Sequence, residues 1–130
     1  MSQRVANIVR QFEPDWHDIV EIPRMWSFGS QQRIERPYFF INVHVTARTV
    51  DMERSNITRT RVKKTNNEIL SLGSVQPKEN VFVYAEASDD RHLWRDDRTL
   101  ATFMSEDLVQ ALKAADVRGF DFMECTVITH

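Results

Sequence analysis

A chain of 130 residues with 17 basic and 19 acidic side chains, a formal charge of −2 and 42% apolar residues has the composition of one folded domain, residues 1–130. A single cysteine, Cys125, excludes an internal disulfide and a zinc site built on cysteines, and Gly29, Gly73 and Gly119 are too scattered for a phosphate-cradling loop. No apolar run approaches the roughly 18 residues of a membrane span, and Met1–Asn7 has no apolar signal core, so a soluble protein of a reducing, cytoplasmic compartment is expected.

The first element is a helix. Val5, Ile8, Val9 and Phe12 recur at helical spacing, Ser2 is placed to cap them, and Pro14 ends the run. His17–Ile22 then reads as a short strand stopped by Pro23, and residues 24–37 as irregular chain carrying Trp26 and Phe28. Tyr38–Val45 is the strongest strand signal, apolar on both faces at its start and alternating from Ile41 onward. A turn or short helix follows around Asp51–Ser55. Ile57–Val62 alternates threonine with basic residues, the pattern of an exposed strand; Asn66-Asn67 turns the chain into a further strand, Glu68–Leu72.

Pro77–Asn80 is a turn and Val81–Ala85 a core strand, after which Ser88–Arg98 reads as a polar excursion. Thr99–Met104 runs into the clearest helix of the chain. Ser105 caps it, Glu106 and Asp107 occupy the first turn, Leu108, Val109, Leu112 and Ala115 form its apolar stripe, and Gly119 is the expected terminator. Phe120–Thr129 is the last strand. The expected fold class is α+β: a mostly antiparallel sheet, an N-terminal helix, and a C-terminal capped amphipathic helix packed on it.

The charge is unevenly spread. Residues 1–64 hold 11 basic and 7 acidic side chains, a balance of +4, and residues 65–130 hold 6 basic and 12 acidic, a balance of −6. This suggests a bipolar molecule unless folding interleaves the halves. The basic run Arg48, Arg54, Arg59, Arg61, Lys63 and Lys64 could track phosphates, but it has no aromatic side chain to stack on bases and the whole chain is acidic. No nucleic-acid partner is expected.

Catalysis receives little support. The four histidines, His17, His44, His92 and His130, make no metal-binding spacing; His44 falls on the outward phase of a strand, and His130 is terminal. Cys125 reads as a small core residue. The doublets Asp89-Asp90 and Asp96-Asp97, with His92, are the one carboxylate cluster that a small hydrolase or nucleotide-modifying enzyme would use. As solvated charges around Trp94 they instead describe an interface. Asp89, Asp90, Arg91, His92, Trp94, Asp96 and Asp97 are therefore the candidate partner-binding residues, with Trp94 as anchor unless it folds back onto the core. No catalytic residue, cofactor or metal is assigned.

Four blocks in order carry a family resemblance. Arg36–Val43 (RPYFFINV) followed by Val50–Ser55 (VDMERS) resembles a "YYxxNV…alDxekS" block, and Val81–Tyr84 sits where that family has a strand opening on an Ile/Val-Phe pair. Thr102–Phe122 resembles its "lFVSdelkeAleaaglkGveF" signature. The family is the eleventh group of immunity proteins from bacterial polymorphic-toxin systems, once a domain of unknown function, and the likeness covers about residues 36–122. Ser88–Arg98 departs from it as a longer, more acidic stretch. The resemblance implies a non-enzyme, without catalytic residues, that binds and inhibits a cognate toxin in the cytoplasm of the producing cell. No membrane or nucleic-acid partner is expected from the composition, and the oligomeric state stays open.

Overall fold

A computed structural model describes residues 1–73 and 77–129. Helix α1 spans Gln3–Phe12, and the Ser2 hydroxyl accepts from the Val5 amide, satisfying one of the four amide donors a helix start leaves unpaired. Its apolar stripe buries Val5, Ala6 and Val9 and half-buries Ile8 and Phe12. Strand β1 (His17–Ile22) pairs antiparallel with β4 (Tyr38–Val43), His17 facing Val43 and Ile22 facing Tyr38. One face of this ribbon sets Ile19, Ile41 and Val43 against the core. The other places Val20 opposite Phe40, both more than half exposed, so the start of β4 is covered on one face only. Residues 24–37, irregular by sequence pattern, contain a hairpin: β2 (Met25–Ser27) against β3 (Gln32–Ile34), strands of three residues each and too short to show a period.

Strand β5 (Thr46–Ala47) lies parallel to β9 (Leu93–Asp96), which pairs antiparallel with β10 (Thr102–Met104). The stretch expected to be a polar excursion therefore contains the central strand of a three-stranded sheet, with Leu93, Trp94 and Asp96 buried. Strands β6 (Ile57–Arg61) and β7 (Glu68–Leu72) form the expected exposed hairpin. The turn at Pro77–Asn80 closes into one helical turn, α2, ahead of β8 (Phe82–Tyr84). A short 3₁₀ turn, Ala85–Ser88, leads on toward β9. The last strand is shorter than expected: β11 (Thr126–Ile128) runs parallel to β8, and Phe120–Cys125 is irregular with Phe120 stacked on Phe122. The class is α+β with mostly antiparallel pairing, but among the described residues the strands are divided among five small sheets rather than joined in one.

Helix α3 (Glu106–Ala114) starts at Ser105, whose hydroxyl accepts from the Leu108 amide, and buries Leu108 and Leu112 completely. These pack with Val5, Val9 and Leu93, so the core lies between α1, α3 and β9. The helix ends before Gly119. Asp116 takes the left-handed conformation at φ 53°; its amide donates to the Lys113 carbonyl, and the Val117 amide donates to the Leu112 carbonyl. That is the Schellman arrangement, with Val117 folding back onto the core as its apolar contact. An aspartate there is doubly unfavourable, from its Cβ at positive φ and from its charge beside the negative helix end. Asp116→Gly is expected to raise the unfolding free energy by about 1 kcal/mol, read as a higher denaturant midpoint at unchanged slope.

Candidate partner-binding surface

The segment that carries the candidate residues is pinned at both ends by buried carboxylates. At its start is Glu13, the C-cap of α1, only 3% exposed. One carboxylate oxygen accepts from the backbone amides of His92 and Leu93, and the other meets His17 Nε2 at 2.5 Å. His17 Nδ1 accepts the His44 amide at 3.2 Å, so the ring hydrogen sits on Nε2 and points at Glu13. At the far end is Asp96, 1% exposed. Its Oδ1 accepts from the Thr49 and Val50 amides, and its Oδ2 from the Arg98 and Thr99 amides and the Thr99 hydroxyl. Burial pushes its pKa up, but the bonds from Thr99, Val50 and Thr49 outweigh that and leave it below the ordinary carboxylate value.

Trp94 takes the core alternative. It is 4% exposed, donates from Nε1 to the Thr49 hydroxyl at 2.8 Å, and stacks on Phe103 with ring centroids 6.1 Å apart. Trp94 and Asp96 are thus withdrawn from the surface, which corrects the expectation that both face a partner. Alternation explains it: the side chains of Trp94 and Asp96 share one face of β9, and that face closes over Thr49.

What remains outside is a smaller group. Asp89 and Asp90 are exposed in the turn before β9, Asp90 at φ 57°. Arg91 is half-buried and braces that turn by donating to the Ala87 carbonyl at 3.1 Å. His92 is half-buried and T-stacked with Phe12, with Nδ1 and the Ser105 hydroxyl hydrogen-bonded at 2.7 Å. Asp97 is exposed and faces Arg48 at 4.0 Å.

This geometry does not gather a reaction centre. Asp96 spends its oxygens on structural donors, and His92 is engaged with the hydroxyl that also caps α3. Among the described residues no group of three or more histidines, cysteines or carboxylates is placed to hold a metal ion. Burial and the neighbouring Glu124 charge push the Cys125 thiol up, so it stays protonated at neutral pH. The outward position expected for His44 is observed, with its ring 2.7 Å from Asp18, and His130 lies outside the described residues. The arginines of the basic run are drawn into exposed ion pairs: Arg54 pairs with Asp51, and Arg59 and Arg61 share Glu68. The last two pairs and Arg48–Asp97 cross between the basic and acidic halves, which interleaves their charges.

Two substitutions separate structural from surface roles. Trp94→Ala is expected to cost roughly 3–5 kcal/mol of stability, read by chemical denaturation of the free protein, because it empties a packed site and orphans the Thr49 contact. Asp96→Asn should cost roughly 2–3 kcal/mol at pH 7, since an amide NH₂ must face donors. The sign with pH follows from the lowered folded pKa. The stabilisation from Asp96 is complete above the unfolded value of about 3.9 and is lost as pH falls through the lower folded value. The gap between wild type and Asp96→Asn should therefore narrow below about pH 4.

Comparison with known proteins adds one finding. The family model described as "Immunity protein family (Imm11)" matches residues 1–127, which extends the likeness through α1 and the β1–β4 ribbon. No curated protein and no solved structure matches the chain. No helix among the described residues is long and apolar enough to cross a membrane. A match over all but the last three residues takes in every helix and every strand except the last residue of β11, and the chain belongs to the Imm11 immunity protein family.

Proposed function

We propose that this protein acts in the cytoplasm of a toxin-producing bacterium of a polymorphic-toxin system, where it binds a cognate antibacterial toxin stoichiometrically and occludes its active site. The observation that carries this reading is the family match over residues 1–127, because it takes in the whole of the core and every strand save the last residue of β11. The domain as a unit is what the family describes, and recognition of another protein is what an immunity domain is for.

The exposed acidic group supports the reading in a reduced form. Asp89, Asp90 and Asp97 supply negative charge at the surface, with Arg91 and His92 beside them, and charges so placed act on the rate of encounter more than on its lifetime. Without Trp94 the group has no large desolvated anchor, so its part is steering toward a basic stretch of the toxin.

The test is co-expression with the toxin domain encoded beside this gene. Growth rescue and one-to-one co-purification are expected; failure of both overturns the reading. Replacing Asp89, Asp90 and Asp97 together with Asn should slow association several-fold at low salt and flatten its salt dependence. Stability of the free protein should stay within about 0.5 kcal/mol, as for other exposed substitutions.

A further inference from the structure

The β1–β4 ribbon does not stop where the core stops. Ile22 faces Tyr38 and Met25 faces Ile34, so Pro23-Arg24 on one side oppose Glu35-Arg36-Pro37 on the other. The two hairpin segments are therefore one antiparallel arm, interrupted by a bulge with a proline on each strand. Residues 24–37 contribute nothing to the buried core or to the half-buried apolar shell packed on it. Met25, Ser27 and Ile34 are half-buried and the rest of the segment is exposed.

What this arm displays is unlike a solvated loop. Trp26 is 53% exposed and Phe28 83%, the most exposed large apolar side chain among the described residues. Trp26 pairs across the strands with Arg33, and with Arg24 and Met25 they line an open hollow of about 330 Å³. Residues 23–37 carry Arg24, Arg33 and Arg36 against Glu35, a local charge of +2 in a chain whose total is −2. The guanidinium groups of these three arginines make no ion pair or hydrogen bond among the described residues, whereas Arg48, Arg54, Arg59 and Arg61 are paired. A two-stranded hairpin gains little stability in water. Unpaired arginine beside exposed tryptophan and phenylalanine is the composition that anchors protein–protein contacts.

We propose that this arm is the anchoring part of the toxin interface: it enters a concave face of the toxin whose apolar floor receives Trp26 and Phe28 and whose rim carries carboxylates for Arg24 and Arg33. The inference rests on the immunity reading and adds to it the site and the chemistry of the partner face. The arm leaves β1 at Ile22, while the acidic turn packs beside the other end of that strand, at His17. Five residue steps of strand separate the two by about 17 Å, so the toxin meets them with surfaces of opposite sign.

The experiment measures binding of purified full-length protein to the active-site-inactivated toxin domain encoded beside this gene, by surface kinetics at two salt concentrations. Trp26→Ala with Phe28→Ala should weaken binding at least about thirtyfold, mainly through faster dissociation, with the melting temperature unchanged. Arg24→Glu with Arg33→Glu should weaken it further and reverse the salt effect. The single change Arg33→Gln, at an exposed position, should give a smaller loss in the same direction and keeps the test decisive if a double variant misfolds. Wild-type affinity in these variants overturns the proposal while leaving the immunity reading intact. A wild-type protein that does not bind the toxin overturns both. A dimer of this chain that the same substitutions abolish, with toxin affinity unaffected, would assign the arm to self-association instead.

Discussion

Four residues, Leu93 to Asp96, make up the strand on which the packing of this protein depends, and buried carboxylates hold both of its ends. Glu13 reaches the amides of His92 and Leu93 from the end of α1, across 79 and 80 residues of sequence. Asp96 reaches the Thr49 and Val50 amides across 47 and 46. A carboxylate removed from water is costly unless its lone pairs meet donors, and both meet at least three. Such a group fixes position more sharply than apolar contact does, because losing one donor exposes a charge to a low-dielectric interior.

The apolar core follows from that placement. With Glu13 fixing α1 against the start of β9, Leu93 falls among Val5, Val9, Leu108 and Leu112, and α3 closes over it. With Asp96 fixing the other end, Trp94 is brought to the Thr49 hydroxyl and to Phe103 on β10. One strand therefore feeds two apolar contacts on its two faces. The His92–Ser105 bond ties the same strand to the cap of α3, so the helix that shields the core starts at a residue β9 has positioned.

The helices were legible because both are local facts: apolar residues at helical spacing, a serine cap, and a stop. Even there the stop of α3 was misplaced, since Asp116 adopts the left-handed turn usually given to glycine while Gly119 lies three residues further on. β9 was not legible, and for a physical reason. Asp96 takes two of its five donors from 46 and 47 residues away, and the Leu93 amide meets Glu13 across 80, so no window of sequence shows what places the strand. The same limit hid Glu13 and His17, an adjacent helix end and strand start whose meaning depends on the amides of β9. Tyr38–Val45 erred the other way: its apolar start suggested cover on both faces, but Phe40 is 62% exposed and the strand ends at Val43. Family likeness supplied what periodicity could not, a role for the chain as a whole, and the match proved to include residues 1–35 as well.

The division between residues that hold the fold and residues free to meet a partner differs sharply between the two candidate surfaces. In the segment 89–97 they interleave: Asp97 is exposed, yet the preceding Asp96 bears five donors, and His92 offers a ring edge while its amide satisfies Glu13. Changing specificity there is confined to Asp89, Asp90 and Asp97, side chains that alter charge but bring little contact area. The arm at 24–37 is under no such constraint, since the core takes no side chain from it. Its outward residues can change size and charge without opening a cavity or stranding a buried donor, the two mechanisms by which point changes most often unfold proteins. A protein that keeps one fold while choosing among similar partners is best served by contact residues on which the fold does not depend. Trp26, Phe28, Arg24 and Arg33 occupy such positions, and Trp94, the more conspicuous tryptophan in the sequence, does not.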